Sequence, residues 1–226
     1  TMVFSWAAVA NGITGYIGAF APEVAASPIA SKVVVGLLVF VPGALNYIGV
    51  KPGAYATNFF TVAKLVPLAI FVLIGLPAVE WSNLRAVPDT SGPGLEHLGT
   101  ALFVALFAVQ GFEVAPIPAG EAANPRKAVP IAVIGSLVGC SIFYVLIQTV
   151  AYGTHPEIGV GAPGAEQAWS ARPLADAAGA FMGRGGALLM SVGACISMMG
   201  FCVGSALATP RFLSVFAHDG LFPKWL

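Results

Sequence analysis

The chain has 226 residues, of which 58% are hydrophobic and only 9% are charged, and its mean hydropathy is +0.87. Ten basic residues balance ten acidic ones, so the formal net charge is zero. This composition excludes a soluble globular domain, and the neutral balance gives no reason to expect a nucleic-acid partner. From Thr1 onward the chain is already apolar and lacks the features of a signal peptide, which indicates a piece of a longer protein.

Candidate membrane spans follow one another along the chain. A helix needs about 20 mainly apolar residues to cross a bilayer. Six segments fit this description, and they are 2–21, 33–48, 57–76, 98–123, 128–152 and 187–208. Asn124 and Pro125 are suited to begin the fifth, and the stretch 173–182 is expected to lie in the membrane interface. The sequence therefore predicts an all-α, multi-pass membrane bundle.

Basic residues in short loops predict how the bundle is oriented. Two sets of loops alternate, one holding Lys51, Arg126, Lys127, Arg211 and Lys224 and the other Lys32, Arg85, Arg172 and Arg184. The first set lies in very short turns, which count for more in this rule. We therefore expect the turn at 124–127 in the cytoplasm and the loop 82–96 outside.

The fourth span interrupts itself in the middle. Gln110, Gly111 and Glu113 break its apolar run, and two prolines follow at 116 and 118. Backbone groups freed at membrane depth are costly unless they line a cavity or meet protein. Because secondary transporters build substrate sites from such broken helices, we predict non-helical backbone within 109–115. Glu113 would either stabilise the break or act directly in transport, and both roles remain open.

The third span contains a lysine. Lys64 lies about seven residues into the span, so it is roughly 10 Å deep, and an ammonium there usually faces a cavity or a partner. Pro67 removes the helix hydrogen bond to the carbonyl of Ala63, next to this lysine. Burial disfavours the charged form, so a lysine in a cavity can lose and regain a proton. The alternative is an anchor that extends to the cytoplasmic surface.

Other residue types indicate packing rather than chemistry. The three cysteines lie in apolar segments and are interpreted as small buried residues, and the pairs Gly135/Gly139 and Gly200/Gly204 have the spacing of close helix packing. The histidines lack metal-ligand spacing, and no catalytic triad or phosphate-binding loop is found. We therefore expect no catalytic residue, metal, cofactor or enzymatic activity.

Three motifs resemble one family, the amino acid–polyamine–organocation permeases. GFE at 111–113 with GEAANPRKAVP at 120–130 resembles that family's sixth helix and the turn after it. NYIGVK at 46–51, leading to FTVAKL at 60–65, resembles its fourth-to-fifth helix passage. RFL at 211–213 with AHDGLFP at 217–223 resembles the end of its eighth helix, with His218 where the family usually has Arg.

The resemblance implies a LeuT-like inverted-repeat fold, of which this chain would cover helices three to eight. Half of the family's substrate site would then belong to the absent first helix. By the same resemblance Phe107 matches the gating aromatic, and the backbone of 108–111 matches the segment that meets the substrate's amino group, namely Ala108, Val109, Gln110 and Gly111. Lys64 matches the lysine of proton-coupled members, with Ser197 as its partner.

These features predict a secondary active transporter of amino acids in the bacterial inner or plasma membrane, with proton symport as the first reading. Its partners would be an amino acid, a proton, the lipid bilayer and the missing helices of the full-length chain. An amino acid/amine exchanger of the same fold is the alternative within this class. A non-transporting membrane scaffold or sensor is the alternative from another class.

Overall fold

The computed structural model describes residues 2–18, 20–48, 50–85, 94–109, 111–112, 124–158, 172–218 and 220. Within these residues the regular structure is helical and no strand is found. In chain order the α-helices are α1 Met2–Ile17, α2 Pro22–Ala26, α3 Pro28–Ile48, α4 Val50–Gly75, α5 Trp81–Arg85, α6 Gly94–Val109, α7 Pro125–Thr154 and α8 Pro173–His218. The all-α prediction is confirmed.

Four helices of the described part are long and apolar enough to cross a membrane. Their apolar stretches are 28–45, 55–78, 125–154 and 173–211. Each begins before the corresponding predicted span, 33–48, 57–76, 128–152 or 187–208, and all but the first also end after it. Proline stands at the first position of α3, α7 and α8, where its missing N–H costs little, so these helices begin earlier than apolar runs alone suggest. In the other two predicted spans, 2–21 and 98–123, the helices α1 and α6 have 16 residues each.

Helix α8 is the centre of the bundle and packs against α1, α3, α4 and α7. Gly183, with φ of 64° and ψ of −160°, divides it into a first segment, 173–182, and a long segment, 184–218. Ala177 and Ala178 of the first segment are fully buried. The stretch expected in the membrane interface is therefore packed into protein along this face.

One hydrophobic core cluster lies toward the C-terminal ends of α4 and α7. It joins the C-terminal half of α4, the C-terminal part of α7 and the first segment of α8, through Phe71, Val72, Ile147, Val150, Ala177 and Ala178 among others. Toward the other end of α7, every side chain of 124–142 is exposed except those of Val129 and Val133. The helix is therefore fixed to its neighbours mainly at its C-terminal end.

Two packing interpretations need correction. Cys195 and Cys202 are buried as expected, but Cys140 is exposed because it lies on the sparsely packed part of α7. Of the glycine pairs, only Gly200 meets another helix, since a side chain on Gly135, Gly139 or Gly204 would find open space within the described structure. At the start of α7, the carbonyl of Asn124 accepts the Ala128 N–H at 2.9 Å, without a side-chain cap.

Candidate functional site

Lys64 lies on the face of α4 that packs against α8. This face carries Gly53, Phe60, Lys64, Pro67, Phe71 and Gly75, which recur at helical spacing. Pro67, Phe71 and Gly75 are buried and Lys64 is half-buried, whereas Leu65 is exposed. The lysine therefore lies on the packed side of its helix, as expected for an ammonium in an apolar segment.

Two glycines of α8 fix its register against α4. A Cβ on Gly193 would lie 2.8 Å from the Cβ of Pro67, and a Cβ on Gly200 would lie 2.8 Å from the Cβ of Phe60. The order of these partners is opposite along the two helices, so α4 and α8 are antiparallel. The absence of side chains at both glycines allows the two backbones to approach closely.

The register places Lys64 and Ser197 at the same level of the bundle. Ser197 lies between Gly193 and Gly200 on the stripe of α8 that faces α4, and its side chain is half-buried. Lys64 lies between Phe60 and Pro67 on the facing stripe. We call the contact of these two stripes, 60–67 and 193–200, the lysine seam.

The backbone and hydroxyl groups at and next to the seam differ in whether they have a hydrogen-bond partner within their own helix. Pro67 lies inside α4, so the carbonyl of Ala63 lacks the N–H that would normally bond it. The hydroxyls of Thr57 and Thr61 donate to carbonyls of their own helix, at 2.9 and 2.8 Å. The carbonyl beside Lys64 is therefore an acceptor that helix geometry leaves for another donor.

The predicted helix break begins where it was expected. Helix α6 ends at Val109, and Gly111 has φ of +123°, a conformation that other residues rarely adopt. Phe107 and Ala108 lie in the last turn of α6. Residue 110 and residues 113–123, and with them Gln110 and Glu113, lie outside the described residues.

In the described residues, helix α6 packs against α7, whereas Lys64 and Ser197 lie on the facing stripes of α4 and α8. The pairing of Lys64 with Ser197 was expected from the family resemblance, but a signal in the sequence for the register of these two helices was missed. Phe60 and Pro67 are seven residues apart, as are Gly193 and Gly200, so each spacing repeats after two helical turns.

The described residues contain no group of three or more His, Cys, Asp or Glu side chains that could hold a metal ion. The polar groups of the seam include the Lys64 ammonium, the hydroxyls of Thr61 and Ser197, and the Ala63 carbonyl. This combination suits proton and hydrogen-bond chemistry.

Comparison with known protein families gives a match over the whole chain. All 226 residues, 1–226, match the family model described as "Amino acid permease". The chain belongs to the amino acid permease family. The resemblance inferred from the three motifs is confirmed, and the helices able to span a bilayer agree with a membrane protein of this transporter family.

Several curated relatives share a moderate part of the sequence. The chain is 23% identical over 218 residues to the branched-chain amino acid permease BcaP of Lactococcus lactis, covering 91% of this chain and 45% of the relative. It is 26% identical over 195 residues to the cationic amino acid transporter 3, mitochondrial, of Arabidopsis thaliana, covering 84% and 30%. It is 29% identical over 193 residues to the serine/threonine exchanger SteT of Bacillus subtilis, covering 85% and 42%. The chain thus spans less than half the length of these three relatives.

Proposed function

We propose that the full-length protein is a proton-coupled amino acid symporter of the cell membrane, in which Lys64 gains and loses the coupling proton. The observation that carries this proposal is the position of Lys64. It is half-buried on the α8-facing stripe of α4, at the level of Ser197. An anchoring lysine would instead lie on a face open to lipid or water.

The lysine seam offers two states that protonation can exchange. In this proposal a charged Lys64 donates to the Ser197 hydroxyl of α8, which holds α4 against α8. A neutral Lys64 loses the charge-assisted part of this bond, which is roughly half of its strength. The packing between the helices then becomes easier to change, so proton release is coupled to movement of the bundle.

The end of α6 supplies backbone acceptors for a substrate ammonium. Because the helix ends at Val109, its last four carbonyls, 106–109, have no partner within the helix. The positive φ of Gly111 then turns the chain away from the helix axis. We propose that the amino group of an amino acid binds at 107–111, with Phe107 closing over it and Glu113 beside the break. The substrate's carboxylate would be bound by helices that lie outside this chain.

Exchange is a second candidate, because one relative at 29% identity is named a serine/threonine exchanger. In an exchanger of the same fold, a bound amino acid or amine on the opposite side of the membrane completes the cycle. The lysine seam would then stabilise one arrangement of α4 and α8, and the transport cycle would not require Lys64 to bind or release a proton.

The deciding experiment uses the full-length protein in proteoliposomes. A thermal-shift screen of all amino acids and common amines first identifies a ligand. Its uptake is then measured in empty vesicles and in vesicles loaded with amino acid or amine, each with and without an inwardly directed proton gradient. The proposal expects accumulation only with the gradient. Uptake that requires internal amino acid or amine and ignores the gradient would establish exchange, and binding without any transport would indicate a sensor.

A further inference from the structure

The C-terminal ends of α4 and α7 meet at two glycines. A Cβ on Gly75 of α4 would overlap the side chain of Val150 and would lie 2.9 Å from the ring of Phe181. A Cβ on Gly153 of α7 would lie 2.7 Å from a methyl group of Val79. Both glycines are buried. The helix ends therefore touch without an intervening side chain, in the way that small residues allow in membranes.

Hydrogen bonds strengthen the same contact. The carbonyl of Gly153 belongs to the last turn of α7 and has no partner within the helix. It accepts the backbone N–H of Glu80 at 3.1 Å and the side-chain amide of Asn83 at 3.0 Å. Two donors from the connection after α4 are thus bound to one carbonyl of α7, where a low dielectric makes such bonds strong.

The first segment of α8 covers this contact from another side. The rings of Phe71 in α4 and Phe181 in α8 pack at a centroid distance of 5.4 Å. Phe71 and Val150 are completely buried. Three helical pieces therefore share one close-packed cluster, and interiors packed in this way resist deformation.

The N-terminal parts of α4 and α7 are more exposed in the described residues. Side chains of α7 between 124 and 142 are almost all exposed, and in the N-terminal half of α4 so are those of Tyr55, Phe59 and Val62. No polar bond between α4 and α7 is found in that part of the described structure, where α4 instead packs on α8 through Phe60 and Gly200. The hydrogen-bonded contact between α4 and α7 therefore lies at their C-terminal ends.

We infer that the contact formed by Gly75, Val79, Asn83, Val150 and Gly153 is a permanent clamp, which keeps the C-terminal ends of α4 and α7 and the first segment of α8 in one rigid body throughout transport. The inference rests on the proposed function for the existence of a transport cycle. It assigns the rearrangement to the contact of α4 with α8 near the middle of α4, where the lysine seam lies. It also requires α4 and α7 to move together at the clamp.

A reversible crosslink tests the clamp in the full-length protein. A Cβ on Gly153 would lie 3.4 Å from the Cβ of Val79, close to the roughly 3.5–4.5 Å of a disulfide. Val79→Cys and Gly153→Cys are introduced after Cys140, Cys195 and Cys202 are replaced by Ala. We expect the final crosslinking yield at a fixed pH to be the same with and without amino acid and with either direction of the proton gradient. We also expect uptake to change by less than about twofold after oxidation.

The clamp is refuted if the yield falls in one of these states, or if oxidation stops uptake and reduction restores it. The matched control is Phe60→Cys with Gly200→Cys across the lysine seam, where oxidation should stop uptake. If this control crosslink leaves uptake intact, the proposed movement at the seam fails while the clamp stands. If the unmodified full-length protein does not transport, the proposed function fails, and the yield still tests the clamp.

Hydrogen exchange of the unmodified full-length protein gives a second test that needs no substitution. The segments 76–85 and 150–158 contain the N–H of Glu80 and the carbonyl of Gly153. We expect their amides to exchange slowly and at the same rate with and without amino acid and in both gradient directions. Faster exchange of these segments in any one condition would show that the clamp opens, and would overturn the inference.

Discussion

Gly193 of α8 packs directly against Pro67 of α4, at a distance that leaves no room for a side chain on the glycine. This contact brings the two helix backbones together at the residue that deprives the Ala63 carbonyl of its helix hydrogen bond. It also fixes the level at which Lys64 and Ser197 face one another. Close packing and a proline thus combine to place Lys64 and Ser197 at the same level on the facing stripes of α4 and α8.

Gly193→Ala should push α8 away from α4. The new Cβ would lie 2.8 Å from Pro67, whose ring cannot rotate away, and overpacking of this kind costs about 1–3 kcal/mol. We expect a lower midpoint of thermal unfolding in detergent. Gly204→Ala on the same helix is the control, because its Cβ would meet nothing within 4 Å. Equal midpoints for the two variants would show that the seam tolerates expansion.

Asn83→Ala should weaken the clamp without destroying it. The variant removes one of the two donors to the Gly153 carbonyl and should reduce the free energy of unfolding by about 1 kcal/mol. Thermal unfolding measures the loss, and Asn58→Ala on the exposed side of α4 is the matched control. A loss no greater than that of the control would mean that the amide contributes nothing to clamp stability.

Gly111→Ala should impair substrate binding more than it impairs folding. Gly111 has φ of +123°, and holding a non-glycine residue in such a conformation costs on the order of 1–3 kcal/mol. We expect the backbone after α6 to shift. The concentration of amino acid needed for a given thermal stabilisation should then rise at least tenfold. Gly99→Ala, within α6 and with open space around it, should bind like the parent. Equal binding by both variants would remove Gly111 from the site.

Cysteine labelling should reveal the orientation of the chain. With the native cysteines replaced, Ser91→Cys should react with an impermeant thiol reagent in intact cells. Ala128→Cys, in the first turn of α7, should react only after the membrane is permeabilised, because the basic turn at 124–127 is expected in the cytoplasm. Labelling of Ala128→Cys alone in intact cells would reverse the topology.

Composition and three local motifs were sufficient to predict the helical class and the family, because hydropathy and helix breaks are properties of short segments. The depth of Lys64 could also be inferred from its position in an apolar run. Its partner helix could not be derived from any one segment, since the register depends on how Gly193 and Gly200 dock onto α4. The exposure of Cys140 escaped prediction for the same reason, because an apolar sequence does not specify which of its faces other helices cover.

The central claim is that Lys64 couples transport to protons, and the most direct measurement is amino acid uptake by full-length Lys64→Ala in proteoliposomes with an inwardly directed proton gradient. We predict that gradient-driven uptake is abolished while ligand binding, followed by thermal shift, persists. Lys32→Ala, which removes an exposed lysine of α3, should transport like the parent. Uptake by Lys64→Ala at the parental rate and with the parental dependence on the gradient would contradict the account and leave Lys64 as an anchor.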